Sequence, residues 1–398
     1  MEHELSNSQR FRSIVALNAV STLAQIGQFA LGTTLLPIAQ EVRHASPQLI
    51  GITSSILWLG MLAGLLVTSM LTRQIGYRLT VLLGLVTSSI SFALMPMMDW
   101  YWWPIPAAVI GFGTGLRWMA NETWLYRVAP SNSRGRVVGI HEALIGIATI
   151  IGPLIIVAVG ASKPTAFWLS AGIILMAAPP LFIATLVPAV DKAAHDQHAL
   201  AAKSKLPLNQ SIYQKILVWV GFGALIAALG GLVDTGLMAL LPVYMTDVGF
   251  TSTDTAWMFT ILGVGAMLCQ FPIGWMADHK GVVWTARLCT FFAALAVILA
   301  LKFGSSLHAL AIAMFILGGT AASGLLTLGL VWATQHSSGA QLTSRMRQVS
   351  ITYTLLSAAG PLLAGYIVHY VGSSSLFWQV LVVLGVLGMV LLKRKLDE

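Results

Sequence analysis

The chain has 398 residues, of which 57% are hydrophobic and only 9% charged, with a formal net charge of +8 and a mean hydropathy of +0.82. A soluble globular protein carries about 25% charged residues, so this composition excludes an ordinary soluble domain and fits a polytopic membrane protein. Cys269 and Cys289 both lie inside apolar runs and read as small packing residues, with no disulfide or metal-ligand spacing.

At ~20 residues per crossing, twelve spans are predicted at 13–38, 47–71, 79–98, 103–126, 137–160, 165–187, 214–244, 255–277, 282–303, 308–333, 348–371 and 375–392. The run behind the polar first twelve residues is too long for the ~7–15-residue core of a signal peptide, so it reads as a retained span. A polar, alanine-rich linker over 188–213 separates six spans from six, which predicts an N-terminal bundle over 1–187 and a C-terminal bundle over 214–398. One set of loops and both termini hold eighteen of the 22 basic residues, the other set holds three (Arg43, Lys163 and Lys302), and Arg117 lies within a span. The asymmetry places both termini and the linker of this multi-pass chain in the cytoplasm. Topology thus accounts for the positive charge, and a nucleic-acid partner is set aside.

The first span puts Asn18, Ser21, Thr22, Gln25, Gln28 and Gly32 on one face. Glutamines facing lipid are costly, so this face lines a cavity or forms interhelical hydrogen bonds. In the fourth span Thr114, Arg117 and Asn121 fall on one stripe. A guanidinium there costs roughly 2.5–3.5 kcal/mol on insertion scales, so it faces protein or water. Arg117 reads either as a clamp for a substrate anion, through its five fixed donors, or as a structural partner of Asp234, Glu142 or carbonyl groups. Trp118, Trp58 and Trp124 can stack on a flat ligand or serve as packing and interface anchors. Glu122 is about 140° round the helix from Arg117 and is expected to meet Arg134, Arg136 or Arg78 in a gate, with proton transfer as its other use. His141 and Glu142 open the fifth span, where a histidine is a proton carrier or an interface residue.

In the seventh span, Gly221, Gly223, Gly230 and Gly231 make a thin helix suited to close approach. Asp234 in the same span is an intramembrane acid. Desolvation disfavours the charged form of a carboxyl, which is what proton coupling requires; the alternative is a structural hydrogen bond. In the tenth span Thr320, Ser323, Thr327 and Thr334 sit beside Gly318, Gly319 and Gly324, a pattern that serves either a cavity or packing.

The halves repeat. Leu35-Leu36-Pro37 and Leu240-Leu241-Pro242 lie 205 positions apart, as do Gly76 and Gly281; Gly152-Pro153 matches Gly360-Pro361. Two related halves imply a substrate site between them near the midplane.

With Gly274, Asp278 and Gly281 matching the G-x-x-x-D-R-x-G loop, the chain resembles the major facilitator superfamily over essentially its whole length, and within it is similar to the YcaD-like bacterial branch. The resemblance implies an all-α membrane fold of twelve transmembrane helices in two pseudo-symmetric six-helix bundles, and a cytoplasmic latch at Asp278. The N-terminal copy keeps Gly76 and Arg78 but has Ser69 for the first glycine and Arg73 for the acid. Ala107 stands at the position of the family's fourth-helix arginine. Gly152-Pro153 resembles part of the antiporter motif of the fifth helix, with Ala148 replacing one glycine.

No G-x-x-x-x-G-K-[ST] loop, legible nucleophile–His–acid set or His/Cys metal spacing occurs, so neither an enzyme nor a cofactor is expected. The expected function is secondary active transport, by alternating access, of a small organic solute, anionic or zwitterionic, with protons as the second partner and a monomer in the bilayer. Substrate contacts are assigned to Arg117, Asn121, Gln25, Gln28, Thr114, Trp118 and Thr327. Proton coupling is assigned to Asp234, Glu122, Glu142 and His141, and gating to Gly274, Asp278, Gly281, Gly76, Arg78, Arg134 and Arg136. The rivals are proton-driven efflux of amphipathic drugs or siderophores and, last, a non-transporting membrane receptor.

Overall fold

A computed structural model of the protein describes residues 6–130, 133–186, 221–335 and 339–393; for 134–135 and 339–344 only the backbone is described. The predicted linker, 188–213, and the predicted start of the seventh span, 214–220, lie outside the described residues. So does the side chain of Arg134.

The helices are α1 (Asn7–Val42), α2 (47–75), α3 (77–94), α4 (Pro104–Val128), α5 (Arg134–Val159), α6 (Pro164–Phe182), α7 (Phe222–Asp247), α8 (Ser252–Lys280), α9 (Val282–Phe303), α10 (Leu307–Gln335), α11 (Gly339–Val371) and α12 (Ser375–Leu392). Ten apolar stretches among the described residues are long enough to cross a membrane. One of them, Pro47–Met97, breaks at Gly76 (φ +79°), and α4 adds a crossing of mixed polarity, so the described residues form twelve membrane helices. Chain starts are set locally. Ser6 and Gln9 form a reciprocal cap on α1, Ser46 caps α2, and Pro47, Pro104 and Pro164 occupy first turns, where no backbone donor is needed.

The chain divides into two compact units, Met1–Ala189 with Phe250–Thr260, and Val190–Gly249 with Ile261–Glu398. In the first, α4 is locked between α2 and α3 by glycines. A Cβ on Gly111 or Gly115 would overlap the carbonyl oxygens of Leu57 and Met61, and one on Gly60 or Gly64 would overlap those of Ala108 and Phe112. On its other side Gly113 meets Gly84. Small residues allow this approach, and without water it supplies much of the association energy between membrane helices.

The second unit repeats the device. A Cβ on Gly318 would overlap the Leu262 carbonyl as one on Gly111 would overlap that of Leu57, and Gly265 meets Phe315 as Gly60 meets Ala108. Gly281 ahead of α9 has φ +84°, matching Gly76 ahead of α3. The apolar core of this unit joins Phe222 and Ile226 of α7 to Ile273, Ala286, Leu325 and Leu387. Basic residues near the start of each third helix hold the end of each sixth. Arg78 donates to the carbonyls of Leu181 (3.1 Å) and Ala184 (2.9 Å), and Arg287 donates to that of Leu391 (2.8 Å). Terminal carbonyls lack helical donors, and a cation suits that end of the helix dipole.

The Leu57–Gly111 interlock yields a test. Gly111→Val is expected to lower stability by at least about 3 kcal/mol, the upper end for overpacking, because backbone cannot step aside. Gly172→Ala, where an added Cβ meets nothing within 4 Å, is expected to leave the thermal midpoint in detergent unchanged or slightly raised. Equal midpoints for the two variants would refute the interlock.

Candidate functional site

The polar faces predicted on α1 and α4 meet. Arg117 is 1% exposed, and its Nε donates to Gln28 Oε1 at 2.9 Å. Gln28 in turn donates to the Gly84 carbonyl (3.0 Å) and to Ser88 Oγ (2.8 Å) of α3. One turn along, Asn121 donates to Ser21 Oγ (2.7 Å) and the Leu17 carbonyl (3.0 Å). Thr114 turns back onto the Ile110 carbonyl. Of the two uses open to these faces, cavity lining and hydrogen bonding between helices, the seam here is the second, because in a medium without water each donor is best satisfied by the facing acceptor. Arg117 takes an uncharged amide as its partner, rather than Glu142.

Two groups in the seam remain unmatched. Arg117 Nη2 and Asn121 Oδ1 are buried with no hydrogen-bond partner, a donor and an acceptor one helical turn apart. Gln25 is buried alongside. Both glutamines belong to a π-helical segment, Gln25–Ala30, a widening of the helix that often accompanies function. Gly152 of α5 packs tightly on Ala30 of that segment, so its glycine has a packing reason independent of any export motif. Trp58 and Trp118 stand edge-on to Phe29 at 5.7 and 6.1 Å. Trp124 stacks on Tyr77 and bonds the Thr185 carbonyl.

Glu122 does not meet Arg78, which is engaged by the end of α6. It accepts instead from the indole of Trp118, four residues earlier on the same helix face, and its Oε1 lies 3.7 Å from His141 Nε2. Glu142 completes a cluster in which the three ligand-capable atoms lie within 4.8 Å of one another. Sequence spacing could not reveal this set, because α4 and α5 must pack before residues 122, 141 and 142 become neighbours. Arg136 is exposed at the start of α5.

In the second unit Asp234 is half-buried on α7 and has no hydrogen bond among the described residues. Its neighbour Thr235 bonds the carbonyls of Gly231 and Ser357, and the Tyr353 ring and Ser357 lie flush against Gly231. Thr327 is half-buried on α10, which has its own π-helical segment at Gly318–Gly324. Asp278 is exposed and accepts from Gln335 at 3.1 Å, and Gly274 has open space around it.

Two glycine-interlocked six-helix halves, the first carrying a polar seam within its bundle, have the architecture of a helical membrane transporter. The chain belongs to the major facilitator superfamily, whose model matches residues 17–251 and 223–398. It is 25% identical over 349 residues to the Uncharacterized MFS-type transporter YcaD of Escherichia coli O7:K1 (strain IAI39 / ExPEC), covering 87% of each chain. Among solved structures it is similar to the nucleoside transporter NupG (TM-score 0.75, 12% identity, 96% of this chain and 99% of that one). It is also similar to a D-xylose-proton symporter (TM-score 0.70, 14% identity, 96% and 98%). At those identities the structural likeness speaks for the fold alone.

The seam makes a prediction. Gln28→Leu removes the acceptor of a buried guanidinium and is expected to cost about 1–3 kcal/mol. Adding Arg117→Met should recover part of that loss, giving a coupling of about 1 kcal/mol or more in a thermal-unfolding double-mutant cycle. Strictly additive losses would show that the two side chains do not support each other.

Proposed function

We propose that the protein is a secondary active transporter that carries a small zwitterionic or anionic organic solute by alternating access and couples its movement to protons. The observation that carries the reading is the unmatched pair in the α1–α4 seam, Arg117 Nη2 and Asn121 Oδ1. A buried donor without a partner costs about 1–3 kcal/mol, more when charged, so the pair favours any solute that supplies both an anionic acceptor and a donor. Gln25 and Gln28 would take part through the π-helical segment of α1 that carries both, a widened turn of the kind that often accompanies function. Shifting it would part the seam and admit the solute. Thr114, Trp118 and Thr327 are secondary candidates for contact.

Asp234 is the proposed proton carrier. It is a half-buried acid on a membrane helix, where the charged form is costly and protonation removes that cost. The fold accommodates such coupling, since one protein that shares it is named a proton symporter. Asp278, Gly274, Gly281, Gly76, Arg78, Arg134 and Arg136 are the proposed latch between states. The protein would act as a monomer in the bacterial inner membrane, with both termini in the cytoplasm.

The reading is tested in proteoliposomes with labelled amino-acid, nucleoside and organic-acid solutes under an imposed pH gradient. Arg117→Gln should weaken apparent affinity by about 10–100-fold, the equivalent of roughly 1.4–2.7 kcal/mol. Asp234→Asn should retain solute exchange at equal pH while losing accumulation driven by the gradient. For a symporting importer, acid on the side the solute leaves should raise uptake; for an antiporting exporter, acid on the side toward which the solute moves should draw it across. Wild-type affinity in Arg117→Gln would remove the substrate site, and gradient-driven accumulation in Asp234→Asn would remove the coupling assignment.

A further inference from the structure

We propose that Glu122, His141 and Glu142 form a binding site for a divalent first-row transition-metal ion of the Mn²⁺–Zn²⁺ class. The three offer one imidazole nitrogen and two carboxylate oxygens, all within 4.8 Å of one another. This donor set suits Mn²⁺, Fe²⁺, Co²⁺ or Zn²⁺; it lacks the thiolate that Cu(I) favours, and its imidazole is a poor ligand for Mg²⁺ or Ca²⁺.

The decisive side chain is His141. It is 1% exposed, and its Nδ1 lies 2.9 Å from Asn18 Oδ1. The Asn18 amide is fixed the other way round, because its Nδ2 donates to the Ile14 carbonyl at 2.9 Å. Asn18 Oδ1 can only accept, so Nδ1 carries the proton and Nε2 of the neutral ring presents a bare lone pair. That nitrogen has no hydrogen-bond partner and faces Glu122 Oε1 at 3.7 Å. A lone pair turned toward a carboxylate is repulsive until a cation stands between them.

The carboxylates raise the same demand. Among the described residues no Lys or Arg comes within ion-pair distance of Glu122 or Glu142, and the Arg117 guanidinium acts on Glu122 only from beyond contact, so two like charges share a partly buried site. A proton on Nε2 would address one pair at a distance too long for a hydrogen bond and leave Glu142 unanswered. One metal ion addresses all three.

The surrounding residues orient the ligands as metal sites require. Asn18 sets the tautomer of His141, the Trp118 indole steers the Glu122 carboxylate, and Tyr126 lies edge-on to the imidazole at 6.4 Å. Bonds of ~2.1 Å would place neighbouring ligand atoms about 3.4 Å apart. Glu142 is exposed on α5 and has the freedom to close the difference, with water completing the coordination. The bound ion would tie α4, the helix of Arg117, to α5.

The test uses the full-length protein in detergent, stripped with chelator and returned to chelator-free buffer, with MnCl₂, ZnCl₂ or MgCl₂ added alone. Mn²⁺ or Zn²⁺ should raise the thermal midpoint saturably, while Mg²⁺ should not. Glu142→Gln, a change at an exposed position, should weaken that binding at least about tenfold, and His141→Gln should abolish it. His308→Gln, at an exposed histidine in the other unit, should leave it intact. X-ray absorption of the zinc-loaded protein should show only nitrogen and oxygen ligands, with one imidazole. Absence of a metal response in the wild type, or undiminished binding in Glu142→Gln and His141→Gln, would overturn the assignment. So would a midpoint that rises with acid and not with metal. The measurement is of binding without flux, so it stands or falls apart from the transport reading.

Discussion

A guanidinium buried at membrane depth has to find its partners in protein, and the N-terminal half is arranged around that requirement. Arg117 reaches Gln28, Gln28 reaches Gly84 and Ser88, and a turn further on Asn121 reaches Ser21 and the backbone of α1. In water each of these bonds would compete with solvent. In a low-dielectric interior the alternative is an unpaired polar group, so the network sets which face α1 turns toward α4. The glycine contacts of α4 with α2 and α3 fix the other side of the same helix. Its position is therefore determined by backbone contact on two sides and by polar bonding on a third.

The two halves share the interlock and differ in what they hang on it. Arg117 lies six residues beyond the interlocking Gly111; six residues beyond the matching Gly318 stands Gly324, the last residue of a π-helical segment. A common scaffold thus carries a fixed cation in one half and a deformable, small-residue turn in the other. The acid of the second half, Asp234, sits instead on α7, on the stretch thinned by Gly230 and Gly231. The buried cation and the intramembrane acid thus stand on different helices of different units.

Much of the fold was legible because hydrophobic runs of membrane length admit few alternatives, and because Gly76 and Gly281, 205 positions apart, restart helices with the same backbone twist. The polar stripes on α1 and α4 were legible as stripes from helical spacing. That they face each other was not, since the rotation of one helix about its axis depends on partners that are remote in sequence. The same limit hid the surroundings of Glu122. Counting along the chain suggested Arg134, Arg136 or Arg78 as its counter-ion; the end of α6 supplies Arg78 with carbonyl oxygens, Arg136 is exposed, and α5 delivers His141 and Glu142. Local patterns state which residues must be buried; only packing states beside what.

The guanidinium clasps of Arg78 and Arg287 on the closing carbonyls of α6 and α12 have a mechanical corollary. Each half ends in a helix whose last turn is sewn to the beginning of its third helix, so the outgoing chain starts from an anchored stitch. Tension applied there is handed to the interior of the bundle before the terminal turn can unravel. The widened turns of α1 and α10 lie away from these stitches, in the interiors of their helices.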